Sequence, residues 1–420
     1  MYKHILFLLL IVPFCTKAQL YNNPFLSLTL EPDNAPVKIF TLGSNYNLGS
    51  NALTGKFYNA LLNTTFIDED AKNSPLPYLK TNNNDLGLYL DNSLFYSWKP
   101  NDKDVYFDIS LSSRIQYTAN FSADAYKLAL FGNEMFAGQT ADISGFNFTH
   151  YAYQSLQFGF FKYKKQTGNH TLLYGGGVSL VSGAGYNSLS IPKGALYTSP
   201  TGDSISLDAK LSSKAANPTS MITDVNGLGA SINGFIAMRF DNQDELRFQL
   251  ADIGFVDWFK NISQFSINKQ ISYTGERVSV INGKASFTQY YLAFDTIANQ
   301  AGNSSSGGSF VTALPFQLRL LYTKNLSSSL TLTGGLEYIH DNMQIPELDF
   351  SAKRTMLQNR LSGRLGFSLF GYSTYGITAG LDYTINKYFT VTIGTQHFEG
   401  LIPLTGTFGQ GYYANIKYSL

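Results

Sequence analysis

Asp108, Arg114, Arg239, Arg247, Arg319, Glu337, Arg360, Arg364, Asp382 and Lys417 each stand in a stretch that alternates bulky apolar with small hydroxylated residues. Charges placed this way can line a polar conduit, seat a plugging segment, or neutralise one another as the wall of a water-filled interior. Arg360 and Arg364 lie four apart on one strand face, too far apart to share one carboxylate. Other reactive side chains form no catalytic pattern. His150, His170, His340 and His397 fall in separate stretches without an HxxxH spacing. Thr395-Gln396-His397 and many serines are present, yet nothing joins a serine, a histidine and an orienting partner as a hydrolase requires. GGGVSLVSGAG (175–185) lacks the Gly-Lys-Ser/Thr ending of a phosphate loop and opens no helix, so it reads as a glycine-rich strand. Asp203-Ser204-Ile205 and Asp295-Thr296-Ile297 match a short O-glycan acceptor pattern. The expected chemistry is non-enzymatic, with no cofactor and no metal.

The elements that carry these charges have a period of two. In YGITAGLDYTINKYFTVTIGTQH (375–397), Ile377, Leu381, Phe389, Val391 and Ile393 alternate with Thr378, Asp382, Thr390 and Thr392 around a tight Asn386-Lys387 turn. Val105, Phe107, Ile109 and Leu111 oppose Tyr106, Asp108, Ser110 and Ser112 in the same way. Leu314, Phe316, Leu318, Leu320 and Tyr322 oppose Gln317, Arg319 and Thr323. A soluble sandwich would set Lys/Glu-rich faces toward water. Here only 14% of residues are charged and 15% are aromatic, against roughly 25% charged in ordinary soluble domains. The bulky face therefore belongs against lipid and the small polar face against a lumen. Lipid cannot satisfy an open sheet edge, so the sheet must close.

The N-terminal MYKHILFLLLIVPFCTKAQ has a basic start, an apolar run too short to span a bilayer, and small residues at Thr16-Lys17-Ala18, predicting a signal peptide over 1–18. Phe14 before Cys15 argues against a lipoprotein, since that position takes a small residue. Cys15 is the only cysteine, which excludes disulfides and thiolate chemistry from the mature chain. A net charge of +1 and the lack of a Lys/Arg-rich run exclude nucleic acid as a partner.

Strands are expected near 37–48, 84–98, 103–118, 151–164, 170–183, 228–241, 244–257, 312–323, 328–341, 346–356, 361–370, 374–385, 389–398 and 411–420. These make an all-β, antiparallel up-and-down barrel of about fourteen strands over 37–420. With both termini in the periplasm, the connections alternate strictly. Those at 99–102, 165–169, 241–244, 324–327, 357–359 and 386–387 are short, and every long connection falls on the outer side. Trp98 and Trp258 suit aromatic girdles. Residues 122–137 predict a short loop helix, N-capped by Ser122, with Leu128, Phe131 and Met135 on its apolar face. Hairpins at Asn282-Gly283 and Thr201-Gly202 either project outward or raise the count to sixteen or eighteen. Residues 19–36 are expected in the periplasm or plugging the lumen.

LALFGNEMFAGQTADISGFNF (128–148), DELRFQLADIGFVDWFKN (244–261) and the closing strands from Thr378 onward resemble a Bacteroidota family of outer-membrane barrels known only as a domain of unknown function. The most specific piece is 250–260, and the resemblance covers most of the mature chain. That family is similar in plan to fatty-acid-type transporters of hydrophobic compounds and to accessory barrels of type IX secretion. Those relatives have fourteen strands and an N-terminal segment in the lumen; Asn23-Pro24 matches the Asn-Pro pair of the transporters' hatch. The resemblance implies fold and location and hands over no catalytic residue.

Asp252 falls on the lipid-facing register of Leu246, Phe248 and Leu250, where a carboxylate is costly. A bulge that Gly254 permits would resolve this and kink the wall, and transporters of the fatty-acid type release ligand through such a break. The expected function is binding or passage of a small hydrophobic compound across the outer membrane. The alternative is a non-transporting scaffold of a surface or type IX-linked complex, with a barrel hydrolase third. Expected partners are outer-membrane lipid, a small hydrophobic ligand and, for the scaffold, surface or secretion-complex proteins.

Overall fold

The computed structural model describes residues 25, 28–63, 66–101, 104–165, 170–217, 224–274, 280–281, 284–285, 308–341, 343, 345–401 and 408–420. The expected signal peptide, Asn23-Pro24 and the Asn282-Gly283 turn lie outside them. Fourteen antiparallel strands form a closed wall. In chain order they are β1 (Lys38–Ser50), β2 (Asn84–Trp98), β3 (Val105–Phe121), β4 (Phe146–Lys165), β5 (Thr171–Thr198), β6 (Gly227–Arg239) and β7 (Glu245–Trp258). Next come β8 (Gln317–Ser327), β9 (Leu330–Ile339), β10 (Glu347–Met356), β11 (Leu361–Phe370), β12 (Tyr375–Asn386), β13 (Phe389–Thr395) and β14 (Gly409–Ser419). β1 closes the ring by pairing with β2, Lys38 opposite Trp98, and with β14, Ile39 opposite Ser419.

The alternation sorts side chains as a barrel demands. Leu180, Leu365, Ile393 and Leu381 point outward and stay exposed, Leu180 at 66%. Their neighbours Ser179, Ser362 and Thr378 are buried inside. Trp98 stacks with Tyr96 (ring centroids 5.6 Å apart) beside a short turn. Short turns and both ends of the wall lie at one rim, the terminal end; the long connections leave from the other, the loop end.

The structure departs from the sequence reading at four places, each where a local break shifts the period of two. β5 runs to Thr198 instead of stopping near 183. Its far half pairs with Ser204–Ala216, which pairs in turn with Ile262–Thr274, so the Thr201-Gly202 hairpin builds a projecting arm and adds nothing to the wall. The strand expected over 312–323 is split into Phe310–Ala313 and β8. Leu314, expected in lipid, is 1% exposed and packs inward. Trp258 is likewise buried inside, its Nε1–H donating to Thr312 Oγ1 (2.8 Å), and belongs to no girdle. Arg360 sits in an exposed turn rather than the lumen, because Leu357, Gln358 and Asn359 all take left-handed φ (50°, 54° and 67°) and delay the strand.

Three helices stand at the loop end: α1 (Gly55–Asn63), α2 (Glu69–Asn73) and α3 (Ala123–Phe131). Ser122 caps α3 by accepting from the Ala125 N–H (3.0 Å). Gly132 (φ 80°) ends the helix, leaving Met135 outside it and exposed. Tyr126, Leu130 and Phe131 make the packed face, against Phe57, Tyr58 and Phe121. Leu128 is half-buried and no part of that cluster. Burial raises the Tyr126 hydroxyl pKa well above its ordinary value.

The two faces can be told apart by charge. Leu381 sits mid-wall facing out, and Thr392 faces in beside Asp382. We expect Leu381→Arg to cost about 2–4 kcal/mol of assembly stability and Thr392→Arg far less, read as the heat-modifiable folded fraction after insertion into lipid vesicles. Equal losses would contradict the assigned faces.

Candidate functional site

The lumen is stratified from the terminal end upward. At the bottom, inward Ile39, Phe95, Tyr106, Phe161, Leu173, Phe235 and Ala237 form an apolar ring, filled by Phe25, Leu28 and Leu30 from the N-terminal segment. Phe25 lies 4.9 Å from Phe235 and 5.2 Å from Phe95, centroid to centroid. Polar bonds anchor the plug's backbone and flank. Arg247 Nη1 donates to the Leu28 carbonyl (2.9 Å) and Tyr163 Oη to the Thr29 carbonyl (3.0 Å). Arg239 pairs with Glu31 (3.1 Å), and Glu245 bridges Arg239 (2.8 Å) and Arg247 (2.7 Å). Phe25, Leu28 and Leu30 thus pack among inward-facing side chains at the terminal end of the barrel.

Above the plug is a polar septum. Arg114 on β3 pairs with Asp91 on β2 (3.3 Å) and with Asp252 on β7. Arg319 pairs with Glu337 (2.7 Å), both 3% exposed. Asp108 accepts from Gln157 Nε2 (3.2 Å). The gap among Phe25, Asn45, Arg114, Gln249, Asp252 and Arg319 is about 40 Å³, room for about one water.

Asp252 reaches Arg114 because the strand bulges. The register of β6 on β7 shifts between Ile232 and Gly234, and Asp252 takes φ 60°. Ala251 and Asp252 are both buried while Leu250 and Ile253 flank them on the outer face. Opposite the bulge, residues 314–316 leave the ladder. Phe310–Ala313 pairs with β7 from Phe255 onward, and β8 pairs with it up to Ala251. Pro315 has no N–H to give and interrupts the strand there. Gly254 packs too closely on β6 to carry a side chain, a Cβ falling 2.1 Å from the Ala230 carbonyl oxygen.

Behind this break, toward the loop end, is a cavity of about 320 Å³. Tyr151, Tyr186, Leu314 and Pro315 give it an apolar side; Gln116, Thr118, Thr149, Thr312, His340 and Asp341 give it a polar one. Tyr151 Oη donates to the Ala313 carbonyl (2.7 Å), holding the broken strand inward. His340 stacks on Phe316 (4.6 Å). At the cavity's far side the lining residues Gln116 and Asp341 bond to the Tyr372 hydroxyl behind them.

Residues 30–395 match a family of unknown function, DUF5723. The chain belongs to that family. No curated protein matches it in sequence. Among solved structures it is similar to the Pseudomonas putida toluene transporter TodX (TM-score 0.42, 10% identity, 93% of this chain and 91% of that one covered). It is also similar to the Ralstonia pickettii toluene transporter TbuX (0.44, 10%, 92% and 90%) and to a Pseudomonas aeruginosa FadL homologue (0.42, 12%, 95% and 93%).

In this family member Asp108, Arg114, Arg239, Arg247, Arg319, Glu337, Arg364 and Asp382 lie along the inner wall, where Asp382 meets Lys353 (2.6 Å). His397 and Glu399 form a buried pair (2.8 Å) at the loop end. Among the described residues no group of three or more His, Cys, Asp and Glu side chains is placed to hold a metal. Gln116 and Asp341 of the cavity and Tyr372 behind them escaped sequence reasoning; two of the three come from connections between strands, where no period marks them.

Two outcomes follow from this layout. Asp252→Ala leaves Arg114 with Asp91 as its carboxylate and the Tyr153 hydroxyl at 3.5 Å and should destabilise the barrel by about 3 kcal/mol, with Asp252→Asn costing less, measured as the midpoint of chemical unfolding in detergent. Arg239→Leu combined with Arg247→Leu should raise protease cleavage of the 25–36 segment about tenfold without altering the folded fraction. An unchanged cleavage rate would show that these arginines do not hold the plug.

Proposed function

We propose that this chain is an outer-membrane barrel, termini in the periplasm, that takes a small hydrophobic compound from the outer side and releases it through its wall. The observation that carries this reading is the three-residue interruption between β7 and β8 with a ligand-sized cavity directly behind it. Leu314 and Pro315 belong both to the broken stretch and to the cavity lining, with Thr312 and Ala313 lining it from the paired strand just before. The axial route is unfavourable for such a compound. It would cross the Arg114–Asp252 and Arg319–Glu337 pairs, and separating buried pairs costs several kcal/mol. It would then have to displace a plug held by Arg239 and Arg247. At the break the flanking side chains are Ile253, Leu314, Pro315 and Phe316, and leaving there keeps an apolar solute among apolar groups.

A second reading, a non-transporting scaffold of a surface or secretion complex, draws on the projecting arm, whose three strands continue past the wall. That reading requires neither the break nor the cavity.

A disulfide across the gap separates the two. The registers on either side of the break, Ala313 opposite Phe255 and Gln317 opposite Ala251, extrapolate to position 315 opposite position 253. Ile253→Cys with Pro315→Cys, oxidised, should cut toluene uptake by intact cells carrying the barrel to about one-tenth, within the reach of a cross-strand bridge. Reduction should restore it, which excludes misfolding as the cause. Uptake unaffected by the closed bridge would sink the wall-exit reading and leave the scaffold.

A further inference from the structure

The cavity has a polar end that already holds a phenol. Tyr372, in the turn between β11 and β12, reaches across the lumen. Its ring fills a notch over Gly49 and Gly87, which face each other on β1 and β2. A Cβ at Gly87 would fall 2.3 Å from that ring, and one at Gly49 2.9 Å from the Tyr372 backbone. The ring's hydroxyl donates to Asp341 Oδ2 (2.9 Å) and accepts from Gln116 Nε2 (2.6 Å). Gln116 Nε2 also lies 2.8 Å from the same Asp341 oxygen. Gln116 and Asp341 line the cavity; Tyr372 approaches them from the opposite side.

Resting on the ligand-binding reading above, we propose that the site's ligand class is a small aromatic hydroxyl compound. Its ring would lie against Tyr151, Tyr186, Leu314 and Pro315, and its hydroxyl would replace that of Tyr372 between Gln116 and Asp341. One donor and one acceptor converge at a single point, which is the complement of one hydroxyl group. A hydrocarbon without that group would leave the pair to Tyr372 and gain only apolar contact. The protein's own side chain therefore acts as an internal competitor. Ligand binding frees the hydroxyl that ties the β11–β12 turn into the lumen, coupling occupancy of the cavity to release of that turn.

The test uses the full-length barrel in detergent, with phenol and toluene as probes and equilibrium binding as the readout. Tyr372→Phe keeps the ring in its glycine notch and removes the competitor. Phenol should bind this variant about tenfold tighter than wild type, the worth of one hydrogen bond of this kind, with toluene unchanged. Gln116→Leu should erase the preference for phenol over toluene. Toluene binding equal to phenol in all three proteins would overturn the hydroxyl assignment while leaving a hydrophobic site standing. Binding of neither probe by any of the folded proteins would overturn the ligand-binding reading itself.

Discussion

A backbone in hydrocarbon has nothing but itself to bond with. A closed ladder answers that demand, and the order of this molecule follows from it. β1 must meet both β2 and β14, so both ends of the wall lie at one rim and the long connections crowd the other. Any interruption in the wall has to answer for each amide it frees. At the one between β7 and β8 the answer is visible. The Leu314 N–H still reaches the Gly254 carbonyl (2.9 Å), and the Asp252 N–H finds the Asn233 side chain (2.8 Å). Pro315 has no N–H, and the Phe316 carbonyl accepts from the His340 N–H (2.8 Å). The ladder is open there without leaving those donors unpaired, so the gap is a stable part of the fold.

The charges obey the same economy. A closed wall of this girth surrounds a space that side chains alone fill poorly. The chain fills it from below with Phe25, Leu28 and Leu30 and across the middle with paired ions. The bulge at Asp252 serves both needs. It moves a carboxylate from the lipid register to Arg114, opposite the residues 314–316 that leave the ladder.

The strands were legible because a period of two with lipid on one side leaves little freedom. All fourteen were placed, and the alternation of short and long connections set their direction along the wall. Legibility failed where one residue breaks the count. Pro315 turned Leu314 from an expected lipid contact into a core residue, and the bulge at Asp252 carried Trp258 inward with it. Three left-handed residues before Arg360 took it out of the lumen, and Gly132 cut the loop helix before Met135. Asp252 was the exception, since a carboxylate among lipid-facing residues is itself a sign of a shifted register. The hydroxyl clamp was out of reach for another reason. Gln116 and Tyr372 are 256 residues apart, and only ring closure brings β3 opposite the β11–β12 turn.

The two glycines under Tyr372 show how closure of the lumen is shared between its ends. The plug rises from one rim and is held by ionic and backbone bonds that water at the terminal end can reach only in part. The Tyr372 turn descends from the other, held by shape in the Gly49–Gly87 notch, by the ring hydroxyl and by the Gly371 N–H donating to the Pro346 carbonyl (3.3 Å). Shape alone leaves a ring free to slide, whereas the hydroxyl fixes its depth. The two closures thus differ in kind, ionic below and a buried phenol in a shaped notch above. Under the wall-exit reading proposed above, the space between the two closures would be reached from the loops and left through the gap beside Pro315.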